Sequence, residues 1–159
     1  MKIVVISDTH LRKANPDLER ICDQYCRDAD LVIHLGDFTS APVLDFLEQY
    51  PLEAVAGNMD EAPVYNRLPS KKIIRAGNHR IALVHGWGGY KDLRDRLRPG
   101  FTDVDAVLYG HTHEPCNQRE NGILWFNPGS FSLGRGELER SIGILEVSED
   151  TIEGRIIAL

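Results

Sequence analysis

The sequence predicts an α/β domain in which a parallel, βαβ-wound half gives way to antiparallel hairpins. Three observations carry this. Short apolar, β-rich runs at residues 3–6, 31–35 and 52–56 alternate with segments of helical periodicity, the pattern of parallel strands covered on both faces. From residue 72 onward, paired runs separated by turn residues replace that alternation, as hairpins do. Most of the runs also stop at Asp, Asn or His close to Gly, at the strand ends where open α/β sheets place their ligand sites.

Run 3–6 ends in Ser7-Asp8-Thr9-His10; Asp-x-His there suits a strand end or a cap as well as a metal. A helix is predicted over 15–27. Asn15 suits its cap, Pro16 its first turn, and Leu18, Ile21, Cys22 and Tyr25 recur at helical spacing. Cys22 and Cys26, one turn apart, read as core and boundary thiols, because no other soft ligand lies near in sequence. Residues 31–35 are the next buried strand, with His34 inside it as a core histidine and Asp37 just past its end. A second helix runs from Ser40 or Ala41 through Leu47. The third strand, 52–56, closes at Gly57-Asn58-Met59-Asp60, which alone is an ordinary turn.

Lys72-Ile73-Ile74-Arg75, the turn Ala76-Gly77-Asn78 and residues 79–84 form a hairpin, with His79 at the surface. Its second strand runs into His85-Gly86-Trp87-Gly88-Gly89, a Gly-rich loop without a Walker pattern. A short amphipathic helix over 90–97 turns Leu93 and Leu97 inward and stops before Pro99-Gly100. Residues 105–109 are a buried strand opening into Gly110-His111-Thr112-His113. Two imidazoles two residues apart in an extended segment can face the same way and reach one pocket; His-x-His alone also suits an ordinary pair of loop histidines. A strand at 123–126, a tight turn at Asn127-Pro128-Gly129-Ser130 and a hairpin of 141–147 with 151–157 complete the chain.

Composition bounds the function. With 159 residues, 42% hydrophobic and 26% charged, and with neither repeat nor linker, the chain reads as a single soluble domain over 1–159. A net charge of −6 and a pI near 5.5 exclude a general phosphate-backbone binder, which presents basic faces. Three cysteines without a Cys-x-x-Cys pair fit a reducing compartment. Neither a signal peptide nor a membrane span is read, so a cytoplasmic location is expected.

Asp8, His10, Asp37, Asn58, His85, His111 and His113 each fall at the end of a predicted strand. Seven oxygen and nitrogen ligands without a thiolate exceed what one catalytic metal needs, and suit two ions sharing a bridging carboxylate. Imidazole mixed with carboxylate favours manganese, iron, zinc or nickel over magnesium or calcium.

In the order Asp8-x-His10, Gly36-Asp37, Gly57-Asn58, His85-Gly86 and Gly110-His111-x-His113, with Asn127-Pro128-Gly129-Ser130 after them, the whole chain resembles the calcineurin-like metallophosphoesterases. The resemblance is to their small bacterial and archaeal phosphodiesterase branch. It implies a four-layer sandwich of two packed mixed sheets flanked by helices. It also implies two divalent ions, manganese first, at the strand ends: Asp8, His10 and His113 on one ion, Asn58, His85 and His111 on the other, and Asp37 as bridge. The implied activity is hydrolysis of a small-molecule phosphoester by a hydroxide between the ions, with Asn58 also placed as a catalytic residue; a homo-oligomer is compatible with this. A eukaryotic retromer subunit that resembles the same fold makes a metal-binding interaction scaffold the alternative, and retention of all seven ligand types favours the enzyme. Two positions depart from the family pattern. Met59 stands where many members carry a histidine able to protonate the leaving group, and the phosphodiesterase branch commonly has cysteine. Trp87 stands where a second histidine often follows His-Gly.

Overall fold

Strands β1 (Lys2–Ile6) and β2 (Leu31–His34) have apolar side chains pointing both ways, so each needs cover on two faces. In the computed structural model, which describes residues 1–132 and 139–159, they pair in parallel through Ile3↔Leu31 and Ile6↔His34. Strand β3 (Leu52–Ala54) extends the parallel pairing, and β9 (Ser141–Val147) and β10 (Ile152–Ala158) add an antiparallel edge, giving the order β10-β9-β1-β2-β3. The second sheet is built from β4 (Lys71–Ala76), β5 (His79–Val84), β6 (Ala106–Tyr109), β7 (Cys116–Glu120) and β8 (Ile123–Asn127), in the order β4-β5-β6-β8-β7.

The two-residue period of each strand distributes its side chains between layers. Ile3, Val5 and Ile33 meet Ile81, Leu83, Leu108 and Phe126 between the sheets. Val4, Ile6 and Val32 pack instead under helices α1 (Pro16–Tyr25) and α2 (Ala41–Leu47). On the far side Val84, Val107 and Trp125 meet Leu93 and Leu97 of α4 (Leu93–Leu97). The result is the expected four-layer sandwich of helices, sheet, sheet and helix. Phe126 crosses so close to β9 and β10 that a Cβ on Gly143 or Gly154 would overlap its ring.

Asn15 caps α1, its side chain accepting from Leu18 N at 2.8 Å, and Pro16 occupies the first turn. Several elements differ from expectation. The helix predicted over 90–97 begins only at Leu93, because Asp92 takes a left-handed conformation with φ 59°. A four-residue helix α3 (Ala62–Tyr65) and strand β7 carry no clear periodic signal. Strand β7 is a polar sheet edge with Asn117, Gln118 and Arg119 exposed, so its sequence does not alternate. Cys26 is buried rather than a boundary residue, and His79 is largely covered, its side chain only 13% exposed beside the Ser148 carbonyl. Among the described residues no helix is long and apolar enough to cross a membrane.

The strand ends stay in register beyond the strands themselves. Asp8 N donates to the Gly36 carbonyl at 3.1 Å and His10 N to the Asp37 carbonyl at 3.0 Å. Gly110 N donates to the His85 carbonyl at 3.0 Å, and Phe131 N to the Ser7 carbonyl at 2.9 Å. Loops from both sheets thus converge at one rim of the sandwich.

Candidate metal centre

All seven predicted ligand residues gather at that rim. Asp8, His10 and His113 offer one set of ligand atoms and Asp8, Asp37 and His85 another, each set lying within 4.8 Å. Asn58 Oδ1 stands 3.2 Å from His85 Nε2 and 2.9 Å from His111 Nδ1, which draws the last two residues into the cluster.

The backbone reason differs from the one the sequence suggests. His111 and His113 do not share a face of an extended segment; both are left-handed, with φ of 69° and 62°. Asp8, His10 and Asp37 are left-handed too, with φ of 55°, 48° and 58°. Non-glycine residues seldom adopt this region, at a cost of about 1–3 kcal/mol each, and such strain concentrates at functional sites. Each positive φ turns the chain sharply out of its strand, so side chains from neighbouring loops can aim at one point.

A supporting layer holds that geometry. Asp8 is fully buried; its Oδ2 accepts from Ser7 Oγ at 2.5 Å and from His111 N at 3.2 Å. Among the described residues its Oδ1 makes no well-directed hydrogen bond, although the Nε2 atoms of His113, His10 and His85 stand 3.1, 3.8 and 3.9 Å away. Asn127 Nδ2 donates to the Gly110 carbonyl and to Thr112 Oγ1, both at 3.0 Å, while Ser130 Oγ donates to the Asp8 carbonyl at 3.1 Å. The Asn-Pro-Gly-Ser turn therefore braces the histidine loop. Gly110 lies so close to Ser7 that a Cβ would overlap Ser7 Oγ and stand 2.9 Å from Asp8 Oδ2. Gly110→Ala is expected to destabilise the fold by roughly 1–3 kcal/mol and to lower bound metal, measured by urea unfolding and by metal analysis of the purified protein.

In the sequence Asp60 reads only as part of the turn that closes the third strand. The structure makes it a clamp: Oδ2 accepts from Gly57 N at 2.7 Å and Asp37 N at 3.2 Å, and Oδ1 from Thr39 N at 2.8 Å. Burial pushes its carboxyl above the ordinary carboxylate range, while the three N–H donors pull the other way. Both oxygens face backbone donors, so Asp60 positions the Asp37 and Asn58 loops. A Gly-Asn-x-Asp turn is the only signal for this in the sequence.

The ring nitrogens are assigned by their partners. His85 Nδ1 lies 2.7 Å from the Leu35 carbonyl and His111 Nε2 lies 2.8 Å from that of Gly88. Each ring spends an N–H outward and turns its other nitrogen toward Asn58 Oδ1. Burial pulls His85 down, but the Asp37 hydrogen bond and the Asp8 and Asp37 charges outweigh it and leave the imidazole above its usual value. Burial pushes Asp8 and Asp37 up; His113 and His85 chiefly for Asp8, and His85 for Asp37, more than reverse this. For His10 burial wins over the two carboxylates, favouring the neutral imidazole. Opposed acceptor atoms, an orphaned buried carboxylate oxygen and outward-tethered imidazoles form a donor set that fits divalent cations.

His34 stands apart from this set. It is fully buried, accepts from Gly36 N at 3.2 Å through Nδ1, approaches Thr9 Oγ1 at 3.3 Å and stacks on Phe38. Burial lowers its pKa from 6.5 to about 3. The folded protein thus keeps His34 neutral, whereas the unfolded chain takes up a proton below pH 6.5, and stability falls with pH through that window by about 1.4 kcal/mol per unit. His34→Gln is expected to leave metal content unchanged and to flatten this dependence. Urea unfolding of wild type and variant at pH 7 and pH 5 measures it; equal pH slopes, or loss of metal in the variant, contradict this reading.

Residues 1–150 match the family model described as the calcineurin-like phosphoesterase superfamily domain. A probable metallophosphoesterase of Methanocaldococcus jannaschii is 37% identical over 163 residues, an alignment covering 100% of this chain and 82% of that protein. The solved structure of an archaeal phosphodiesterase is 27% identical, covers 100% of both chains and superposes with a TM-score of 0.76. Zinc-bound Vps29 of Entamoeba histolytica, at 24% identity and a TM-score of 0.76 over 99% of both chains, shares the fold.

Proposed function

Because the chain belongs to the calcineurin-like phosphoesterase superfamily, we propose that it is a phosphodiesterase that cleaves a small-molecule phosphoester at this rim with two divalent ions. Asp8, His10 and His113 would hold one ion, and Asn58, His85 and His111 the other. Asp37 would lie between them: its Oδ2 is 3.7 Å from His10 Nε2 and 3.3 Å from His85 Nε2. The observation that carries this reading is the crowding of acceptors. Asn58 Oδ1 faces the inward nitrogens of two imidazoles whose other nitrogens are tied to backbone carbonyls. Divalent cations between these atoms would satisfy the set.

Two ions of this kind, when bound, make hydroxide available near neutral pH and offset the charge that grows on the phosphoryl oxygens. The protein's own groups do the rest. Asp8 and Asp37 supply negative charge in a buried setting, where it is screened least. Asn58, at the exposed edge with its oxygen turned inward, leaves its amide NH₂ for an oxygen of the substrate. Met59 N donates to Asp37 Oδ1 at 2.7 Å and fixes the other face of that carboxylate.

The experiment is metal analysis of the purified protein. A panel of phosphomonoesters, phosphodiesters and cyclic nucleotides is then assayed with manganese, iron, nickel and zinc. Diester cleavage with about two ions per chain supports the proposal. Stoichiometric metal with no turnover across the panel favours the scaffold alternative.

A further inference from the structure

Beside the ligand cluster a cavity of ≈ 200 Å³ opens between the loop after β3 and the Gly-rich loop after β5, and Asn58 and His85 are part of its wall. Tyr65 and Trp87 line the same cavity while remaining 48% and 54% exposed. Lys71, also in the lining, adds a permanent positive charge. A concave site lined by aromatic side chains with a few converging polar groups is the form that small-molecule sites take. The two rings offer faces on which a planar group stacks, largely independent of that group's hydrogen-bonding pattern. The volume lies below the roughly 300–1,000 Å³ of a site for a drug-sized ligand, so one ring system fits and a whole dinucleotide does not. A second cavity of ≈ 350 Å³ on the Thr112 side is a poorer host for an anionic ester, since Asp92, Asp95 and Glu114 outnumber Arg94 in its lining.

We propose that the Tyr65–Trp87 cavity is an aromatic subsite: it receives an aryl or nucleobase ring of the phosphoester while the phosphoryl group lies at the ligand cluster. The proposal rests on the phosphoesterase reading and names the substrate class for it. Trp87, at the position where Trp replaces the family's frequent second histidine, would then select for a ring rather than contact the phosphoryl oxygens.

The test is equilibrium binding by calorimetry to the full chain loaded with manganese. The probes are inorganic phosphate, methylphosphonate, phenylphosphonate and uridine 5′-monophosphate. Stacking on one aromatic side chain corresponds to about 5-fold to 150-fold in affinity, so phenylphosphonate is expected to bind at least about 5-fold tighter than methylphosphonate. Trp87→Ala and Tyr65→Ala should each bring that ratio toward one, and Trp87→Phe should restore most of it. Trp87 is half exposed, so these substitutions open no core. Preferential weakening of uridine 5′-monophosphate by Trp87→Ala identifies the ring as a nucleobase; preferential weakening of phenylphosphonate identifies a simple aryl group. A wild-type ratio near one, or a ratio that Trp87→Ala leaves intact while phosphate still binds and esters are still cleaved, overturns the subsite alone. If phosphate does not bind and no ester is cleaved, the phosphoesterase reading falls and the subsite falls with it.

Discussion

Asp37→Ala is expected to lose both bound ions together and to lower phosphoesterase activity by more than roughly 10²-fold, the scale on which removing a charge-stabilising group acts. The joint loss is the informative part. Asp37 is 2% exposed, with Oδ2 between the two groups of imidazoles and Oδ1 accepting from Met59 N. On the two-ion proposal, removing the carboxylate would withdraw a ligand shared by two sites; it also strands a backbone donor. Asp37→Asn separates these effects, since it keeps volume and one acceptor while removing the charge. Metal analysis of both variants, with urea unfolding to confirm that they are folded, decides the matter: a variant that keeps two ions and wild-type turnover removes Asp37 from the bridge.

Rates in the wild type are expected to depend steeply on the acidity of the leaving alcohol, and Met59→His is expected to flatten that dependence. The Met59 side chain is 58% exposed at the edge of the site and has no proton to give. Asp60, the nearest carboxyl in sequence, has both oxygens occupied by backbone N–H groups, so in the proposed reaction departure of the alcohol would be left to the bound ions and solvent. A histidine there would titrate near neutral pH and supply a general acid worth up to about 10² to 10⁴ in rate for poor leaving groups. The measurement is a series of para-substituted phenyl diesters, in which the ring is constant and any stacking on Trp87 cancels, followed in single turnover so that product release does not mask chemistry. A flat wild-type series under those conditions means that another residue acts as the acid. Asp60→Asn is a poor probe of that residue, because an amide NH₂ turned toward the Gly57, Asp37 or Thr39 N–H would disturb the loops that carry the site.

Much of this protein was legible in one dimension. The two-sided apolar runs at β1, β2 and β6, the Asn15-Pro16 helix start and the Gly77-Asn78 turn are local signals, and each states its element without reference to the rest of the chain. That these seven residues would lie near one another was legible as well, because oxygen and nitrogen donors recur at one kind of place, the end of a strand. The polar edge strand β7 was not, since a strand exposed over most of its length needs no alternation.

Nor could the sequence show how the donors converge. Asp8, His10, Asp37, His111 and His113 take left-handed backbone conformations that their residue types do not favour. Those conformations persist because partners distant in sequence hold them: Gly57 and Gly110, where a Cβ would collide with Asp37 and with Ser7, the Asp60 clamp, and the Asn127 and Ser130 brace. Which nitrogen of His85 and His111 faces inward was likewise decided by carbonyls at Leu35 and Gly88. Periodicity and ligand type are properties of neighbouring residues and can be read along the chain. Strain and tautomer are set by contacts between segments 20 to more than 100 residues apart, and these exist only once the two sheets have packed.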